Sequence, residues 1–265
     1  MITIRASALG DFFDCPARAE AKHLLGKRTP MGGAALLGKA VHAATAVYDQ
    51  SVIDGSGITV DEAAAAAVDT IHRPDEEVNL DADESAQEAE GIAIALHRRY
   101  CAEIAPRQEY IAVEVTCDRL EITDLGIALT GTTDRVGRTA EGSAGILDIK
   151  TGKTAVAADG TVKTAGHAYQ LGVYELLAER ASGLPIDAPA QIIGLQTGKT
   201  ERGQRAGISG PVVGARDVLI GDVDQPGVLE MVARMIHAGA FPGNPRSMLC
   251  GEKYCPIHKS CRYRL

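Results

Sequence analysis

Two carboxylates and a lysine sit on neighbouring apolar stretches of this 265-residue chain. The first stretch reads Ile127-Ala-Leu-Thr-Gly-Thr-Thr-Asp134-Arg-Val, and the second reads Gly145-Ile-Leu-Asp148-Ile-Lys150-Thr-Gly. In a strand, residues two apart share a face. Asp148 and Lys150 therefore point the same way, and Ile149 points oppositely, into a core. If the two strands form a hairpin, Asp134 comes within reach of both. Two carboxylates and an ammonium suit a hard divalent cation and a phosphate, the equipment of metal-assisted phosphodiester hydrolysis.

The pattern of acid, any residue, lysine is weak alone. With 35 acidic residues and nine lysines in the chain, about one match arises by chance. The chain holds two. The other, Glu20-Ala-Lys22, lies in a helical pattern with no apolar strand around it. Ile146, Leu147 and Ile149 embed the second match in a buried-strand pattern. Buried charges are costly unless they pair or bind something. A strand-end ion pair and a metal site both meet that demand.

The surrounding elements follow from periodicity and breakers. Ser7 is placed to cap a short helix through Phe12 and Phe13 toward Cys15. Residues 34–50 read as a helix with Leu37, Val41, Ala44 and Tyr48 on one face and His42 beside it. Residues 60–72 and 84–104 read as Ala-rich helices around an acidic loop. Strands are expected at 110–117, carrying Glu114, and at 126–137, 144–150 and 190–196, with a further one at 217–223. Helices are expected between Gly166 and Pro185 and over 226–238. In the first of these, Gln170 and Tyr174 are four apart and share a face. This order predicts an α/β fold with a mixed central β-sheet flanked by helices, preceded by a helical N-terminal region and followed by a cysteine-rich tail. The chain reads as a single domain over 1–265, with a helical acidic insertion at 51–105 and the tail at 241–265.

Composition narrows the function. The net charge of −8 argues against a globally basic nucleic-acid binder. Residues 61–90 hold eleven acids and one arginine, a contribution of −10, so the rest of the chain sums to +2. A local basic surface is compatible with that balance. There is no apolar run of about 18 residues and no signal-peptide pattern, so a cytoplasmic protein without membrane contact is expected. Gly152-Lys-Thr154 and Gly198-Lys-Thr200 resemble the end of a phosphate-binding loop. The required earlier glycine is replaced by Leu147 and Ile193, which removes an ATPase reading.

In a reducing compartment, six cysteines read as ligands or core residues rather than disulfides. Cys101 and Cys117 fall in predicted helix and strand and read as core. Cys250, Cys255 and Cys261 crowd a polar tail that has little to bury, and metal binding would supply its stability. If the termini meet, Cys15 completes an all-cysteine site for an iron–sulfur cluster or zinc. Alternatively His258 is the fourth ligand of a local zinc site.

Taken in order, these pieces resemble the PD-(D/E)XK nuclease superfamily. They resemble in particular the RecB-like exonucleases with a terminal iron–sulfur cluster: CRISPR-associated RecB-like nucleases, phage-encoded relatives and the AddB nuclease domain. Ser7 to Pro16 resembles the opening helix with its first cluster cysteine, and Gly38-Lys-Ala-Val-His42 the Gly-x-x-x-His helix. Gly131-Thr-Thr-Asp134-Arg resembles the Gly-x-x-Asp-Arg strand. Leu147-Asp148-Ile-Lys150-Thr-Gly resembles the third motif, and Gln170-Leu-Gly-Val-Tyr174 the Gln-x-x-x-Tyr helix. Relatives commonly close the cluster with Cys-x-x-Cys, whereas four residues separate Cys250 from Cys255 here.

The resemblance implies a restriction-endonuclease-like core and a metal-dependent DNA exonuclease acting on single strands or ends. It implies that His42, Asp134 and Asp148, with the carbonyl of Ile149, hold Mg²⁺ or Mn²⁺. Lys150 would orient the attacking water, and Gln170 and Tyr174 would position the DNA or Lys150. Glu114 would be a further acid near the metal or only an exposed strand position. Cys15, Cys250, Cys255 and Cys261 would bind a [4Fe–4S] cluster, with zinc as the alternative. It further implies a role in recombination, repair or phage DNA processing, with a recombination or annealing protein as a possible second partner. A non-catalytic binding module on the same fold is the competing class, and it would not need His42, Asp134, Asp148 and Lys150 together.

Overall fold

The apolar stretches around Asp134 and Asp148 form the centre of a six-stranded mixed sheet. The computed structural model describes residues 1–264. The chain opens with β1 (Ile2–Arg5), α1 (Leu9–Asp14) and α2 (Pro16–Ala19), and continues through a π-helical turn over Glu20–Leu24 to the two-residue β2 (Met31–Gly32). The long α3 (Gly33–Asp54) and α4 (Val60–His72) follow, then β3 (Val78–Asn79) and α5 (Ala86–Glu103). The sheet core comes next: β4 (Glu109–Ile122), β5 (Ile127–Arg138) and β6 (Ala144–Gly152). After α6 (Ala168–Ser182), the chain adds β7 (Gln191–Gln196), β8 (Arg205–Ile208), α7 (Ala215–Ile220) and α8 (Val228–Ala238).

Helix ends follow local chemistry. The Thr59 hydroxyl accepts the Glu62 amide, and the Glu62 carboxylate accepts the Thr59 amide, a reciprocal cap that starts α4. Ser85 caps α5 through the Glu88 amide. The acidic segment between α4 and α5 is tied down by Lys39 to Glu76, Lys199 to the Asp83 carbonyl and Lys253 to Asp81.

The strand β5 carries β4 along one edge, from Ile122–Ile127 to Glu109–Arg138. Its other edge is shared by two strands. Parallel β1 pairs residues 127–130, and antiparallel β6 pairs residues 135–138. Beyond Leu147, β6 leaves β5 and runs parallel to β7, which pairs antiparallel with β8. The sheet therefore splits beside residues 131–134.

Two apolar cores sandwich it. One joins Ile127, Leu129, Val136 and Ile146 to α1, α6, α7 and α8. The other joins Leu147, Ile149, Ile193 and Leu195 to α3, α4 and α5. The helices of 51–105 thus share a core with β6. Three expectations differ from the structure. Ser7 lies inside a 3-10 turn and caps nothing through its side chain. Residues 217–223 are not a strand: Ala215–Ile220 is helical. Ala215 there abuts Gly172 of α6 and Leu219 is buried in the same core, so a helical face replaces the alternation read from sequence. The strands β1 and β8 went unread, because four-residue segments carry too little periodicity to show.

Candidate metal centre and cysteine site

The split in the sheet is where the predicted site residues gather. Asp134 lies at the last unpaired position of β5 before β6 joins. Its Oδ2 accepts the Ile149 N–H at 2.7 Å, taking the place of a ladder hydrogen bond. Its Oδ1 lies 3.3 Å from His42 Nδ1 on α3. Helix α3 can come this close because of Gly38: a Cβ there would meet Thr151 Oγ1 of β6 at 2.9 Å. His42, one turn later, is thereby held over the gap. From the other layer, α6 supplies Tyr174, whose hydroxyl accepts the Gln170 amide at 2.8 Å.

The backbone opposite Asp134 is unusual. Glu114 of β4 has φ +50°, the only non-glycine positive φ among the described residues. It falls between the pairs Val113–Arg135 and Val115–Thr133. Residues four apart on a regular strand share a face. Here Gly131 faces Leu177 and Tyr174 of α6, while Arg135 reaches Asp49 of α3. The alternation of β5 inverts between them, and Glu114 on the neighbouring β4 lies beside His42 and Asp134. These three offer ligand atoms that all lie within 4.8 Å of one another. A left-handed glutamate costs of order 1–3 kcal/mol, and such strain collects at functional sites.

Electrostatics separate the carboxylates. Burial would raise the Asp134 pKa, but the neighbouring His42, Lys150 and the Ile149 amide outweigh it and hold it near about 2. Asp148, 1% exposed, is pushed up to about 6 by burial, with Lys150 opposing and Asp134 adding to the rise. Lys150 Nζ stands 2.6 Å from Asp148 Oδ2, an ion pair. Asp148 Oδ1 is buried with no hydrogen-bond partner among the described residues. Glu114 is raised by burial and by Asp134. A His and three carboxylates, two of them raised by burial and mutual repulsion and one with an orphaned oxygen, fit a divalent cation.

The termini meet. The Ala17 amide donates to Pro242 O at 3.2 Å, and the Asn244 amide to Cys15 Sγ at 3.3 Å. Asn244 Nδ2 donates to Asp14 O at 2.8 Å, and Ser247 Oγ to Asp14 Oδ2 at 2.7 Å. Cys15, Cys250, Cys255 and Cys261 line one cavity with His258. The Cys255 thiol is raised by burial and by the other three cysteines. Cys101 and Cys117 are buried in the two cores as expected, and burial pushes Cys101 up to about 12.

A model of the PD-(D/E)XK nuclease superfamily matches residues 3–262. The chain belongs to the PD-(D/E)XK nuclease superfamily. Twelve solved chains match it in structure. One is a “Putative exonuclease” from Eubacterium rectale, 17% identical, covering 98% of this chain and 88% of that one, with a TM-score of 0.55. Another is SSO0001, 13% identical over 99% and 87%, with a TM-score of 0.40. No curated protein matches in sequence. The mixed sheet between helical layers is the fold of this nuclease superfamily, whose members use divalent metals, and a His42–Glu114–Asp134 cluster is present in it. No helix of the described residues is long and apolar enough to cross a membrane.

Within this PD-(D/E)XK chain, the structure gathers His42, Glu114, Asp134, Asp148, Lys150, Gln170 and Tyr174 around one split. Asp148 stands next to the 4.8 Å group rather than in it. Ile149 meets the site through its N–H. Sequence reasoning missed Arg135. It is fully buried, donating to Asp49 Oδ2 at 2.6 Å, Asp134 O at 2.7 Å and Thr45 Oγ1 at 3.1 Å. The signal was present: an arginine inside a buried strand and an aspartate beside the apolar face of a helix each require a partner.

Proposed function

We propose that this nuclease is a metal-dependent DNA exonuclease acting on single strands or ends. The observation that carries the reading is the convergence of His42, Glu114, Asp134 and Asp148, with Lys150, at the split between β5 and β6. His42, Asp134 and Asp148 would hold Mg²⁺ or Mn²⁺ with help from the Ile149 carbonyl, and Glu114 adds a fourth side chain. An imidazole ligand favours Mn²⁺ more than an all-oxygen site does. The bound ion supplies Lewis acidity toward water and a phosphate oxygen. Lys150, anchored beside Asp148, orients the water and offsets charge developing on the scissile phosphate. Tyr174, held by Gln170, would position the DNA backbone or the Lys150 side chain.

The four cysteines would hold a structural [4Fe–4S] cluster that pins the termini together. The four line one cavity where the termini meet, and zinc at the same thiols is the alternative. Recombination, repair and phage DNA processing are the settings such an exonuclease would serve, alongside an annealing or recombination protein.

The test is digestion of end-labelled single- and double-stranded DNA with Mg²⁺ or Mn²⁺. The expected result is stepwise release of short products from ends, lost in Lys150→Ala and Asp148→Asn while both variants keep their fold. Full cleavage by either purified variant refutes the assignment.

A further inference from the structure

Among the described residues, seven buried side-chain polar atoms lack a hydrogen-bond partner. Two are the Asp148 oxygens at the metal centre, one of them ion-paired with Lys150. Two others, Arg18 Nε and His258 Nδ1, belong to residues that line the cavity of Cys15, Cys250, Cys255 and Cys261. Arg18 is only 3% exposed. An unsatisfied buried group costs about 1–3 kcal/mol, and more when it is charged. Two such groups beside the same four thiols call for an acceptor inside that cavity.

The rest of Arg18 is committed elsewhere. Its Nη2 donates to Asp11 Oδ1 and Asp14 Oδ2, both at 2.9 Å. Asp11 in turn takes His23 and Lys22 at 2.7 and 3.2 Å. The guanidinium is thus clamped by α1 through Nη2, and Nε is a buried donor left without an acceptor. The backbone already directs N–H groups at the sulfurs, from Asn244 to Cys15 and from Ile257 to Cys255.

Resting on the reading that these cysteines hold an iron–sulfur cluster, we propose that Arg18 Nε and His258 Nδ1 donate hydrogen bonds to the cluster's sulfurs and raise its reduction potential. Four thiolates make such a cluster an anion, and it becomes more negative on taking up an electron. N–H donors and a nearby cation stabilise the reduced form more than the oxidised one, and hydrogen bonds to sulfur are a recognised determinant of potential. As a donor, His258 carries a proton on Nδ1, which separates this role from that of a metal ligand.

The test uses the full chain reconstituted anaerobically with ferrous iron and sulfide, as wild type, Arg18→Gln, Arg18→Lys and His258→Phe. Iron and sulfide per chain are assayed, and the midpoint is read by absorbance as dithionite delivers one electron through mediator dyes. Arg18→Gln and His258→Phe should keep wild-type iron and sulfide. At the wild-type midpoint their ratio of reduced to oxidised cluster should fall about tenfold, about 59 mV for one electron. Arg18→Lys, which keeps the charge, should shift less in the same direction, and it decides the matter if Arg18→Gln does not assemble. Unshifted midpoints in fully loaded variants overturn the proposal and leave the cluster reading standing. Loss of iron from His258→Phe alone would make His258 a ligand and also overturn it. A wild-type chain that takes up zinc and no iron sinks the cluster reading itself.

Discussion

Replacing Arg135 with methionine should unfold the centre of this protein more readily than any exposed change. The guanidinium is fully buried and pairs with Asp49, itself 1% exposed, at 2.6 Å. Methionine keeps the stem volume and removes the charge. Asp49 would then keep only the Tyr100 hydroxyl, now at 2.5 Å. Breaking a buried pair from one side costs about 3–5 kcal/mol, because a buried charge is left uncompensated. The double variant Arg135→Met with Asp49→Asn removes both charges, so its cost should fall below the sum of the singles by about 2–3 kcal/mol.

The pH dependence gives a second check. Burial already raises the Asp49 pKa, and Arg135 opposes that rise. Without Arg135, the folded-state pKa climbs further above the unfolded value. A raised carboxylate destabilises the fold above its folded pKa, and the penalty vanishes as pH falls below the unfolded value. The deficit of Arg135→Met should therefore be larger at pH 8 than at pH 4. Urea unfolding followed by circular dichroism at both pH values measures it. A loss below about 1 kcal/mol at pH 8, or strict additivity in the double variant, would refute the argument that this pair docks α3 onto β5.

Three further outcomes are expected. Glu114→Gly should leave thermal stability unchanged or raise it by several tenths of a kcal/mol, since glycine tolerates φ +50°, while nuclease activity falls; a marked loss of stability would show that the kink is not strained. Gly172→Ala should destabilise by about 1–3 kcal/mol, because its Cβ would meet the Ala215 carbonyl at 2.5 Å and separate α6 from α7; an unchanged melting midpoint would contradict that close approach. Chelation should abolish cleavage without unfolding the sheet, and Mn²⁺ should restore it at lower concentration than Mg²⁺, read from titrations of DNA digestion.

The sequence by itself determined the strands of Asp134 and Asp148, the shared face of Asp148 and Lys150, and the helices of His42 and Gln170–Tyr174. Each is a local consequence of periodicity or of residue types that need a partner. The order of elements also carried the fold class, since alternating helix and strand leaves few ways to bury both faces of a sheet. What only the tertiary structure decided is how the strands part. The split beside residues 131–134 arises because β1 and β6 share one edge of β5. Register between segments more than 100 residues apart leaves no local trace. The inverted alternation of β5 between Gly131 and Arg135 likewise left no trace in a stretch whose side chains read as regular. Arg135 and Asp49 fall in the same class: their types announced that partners were needed, and only the docking of α3 showed that they are each other's.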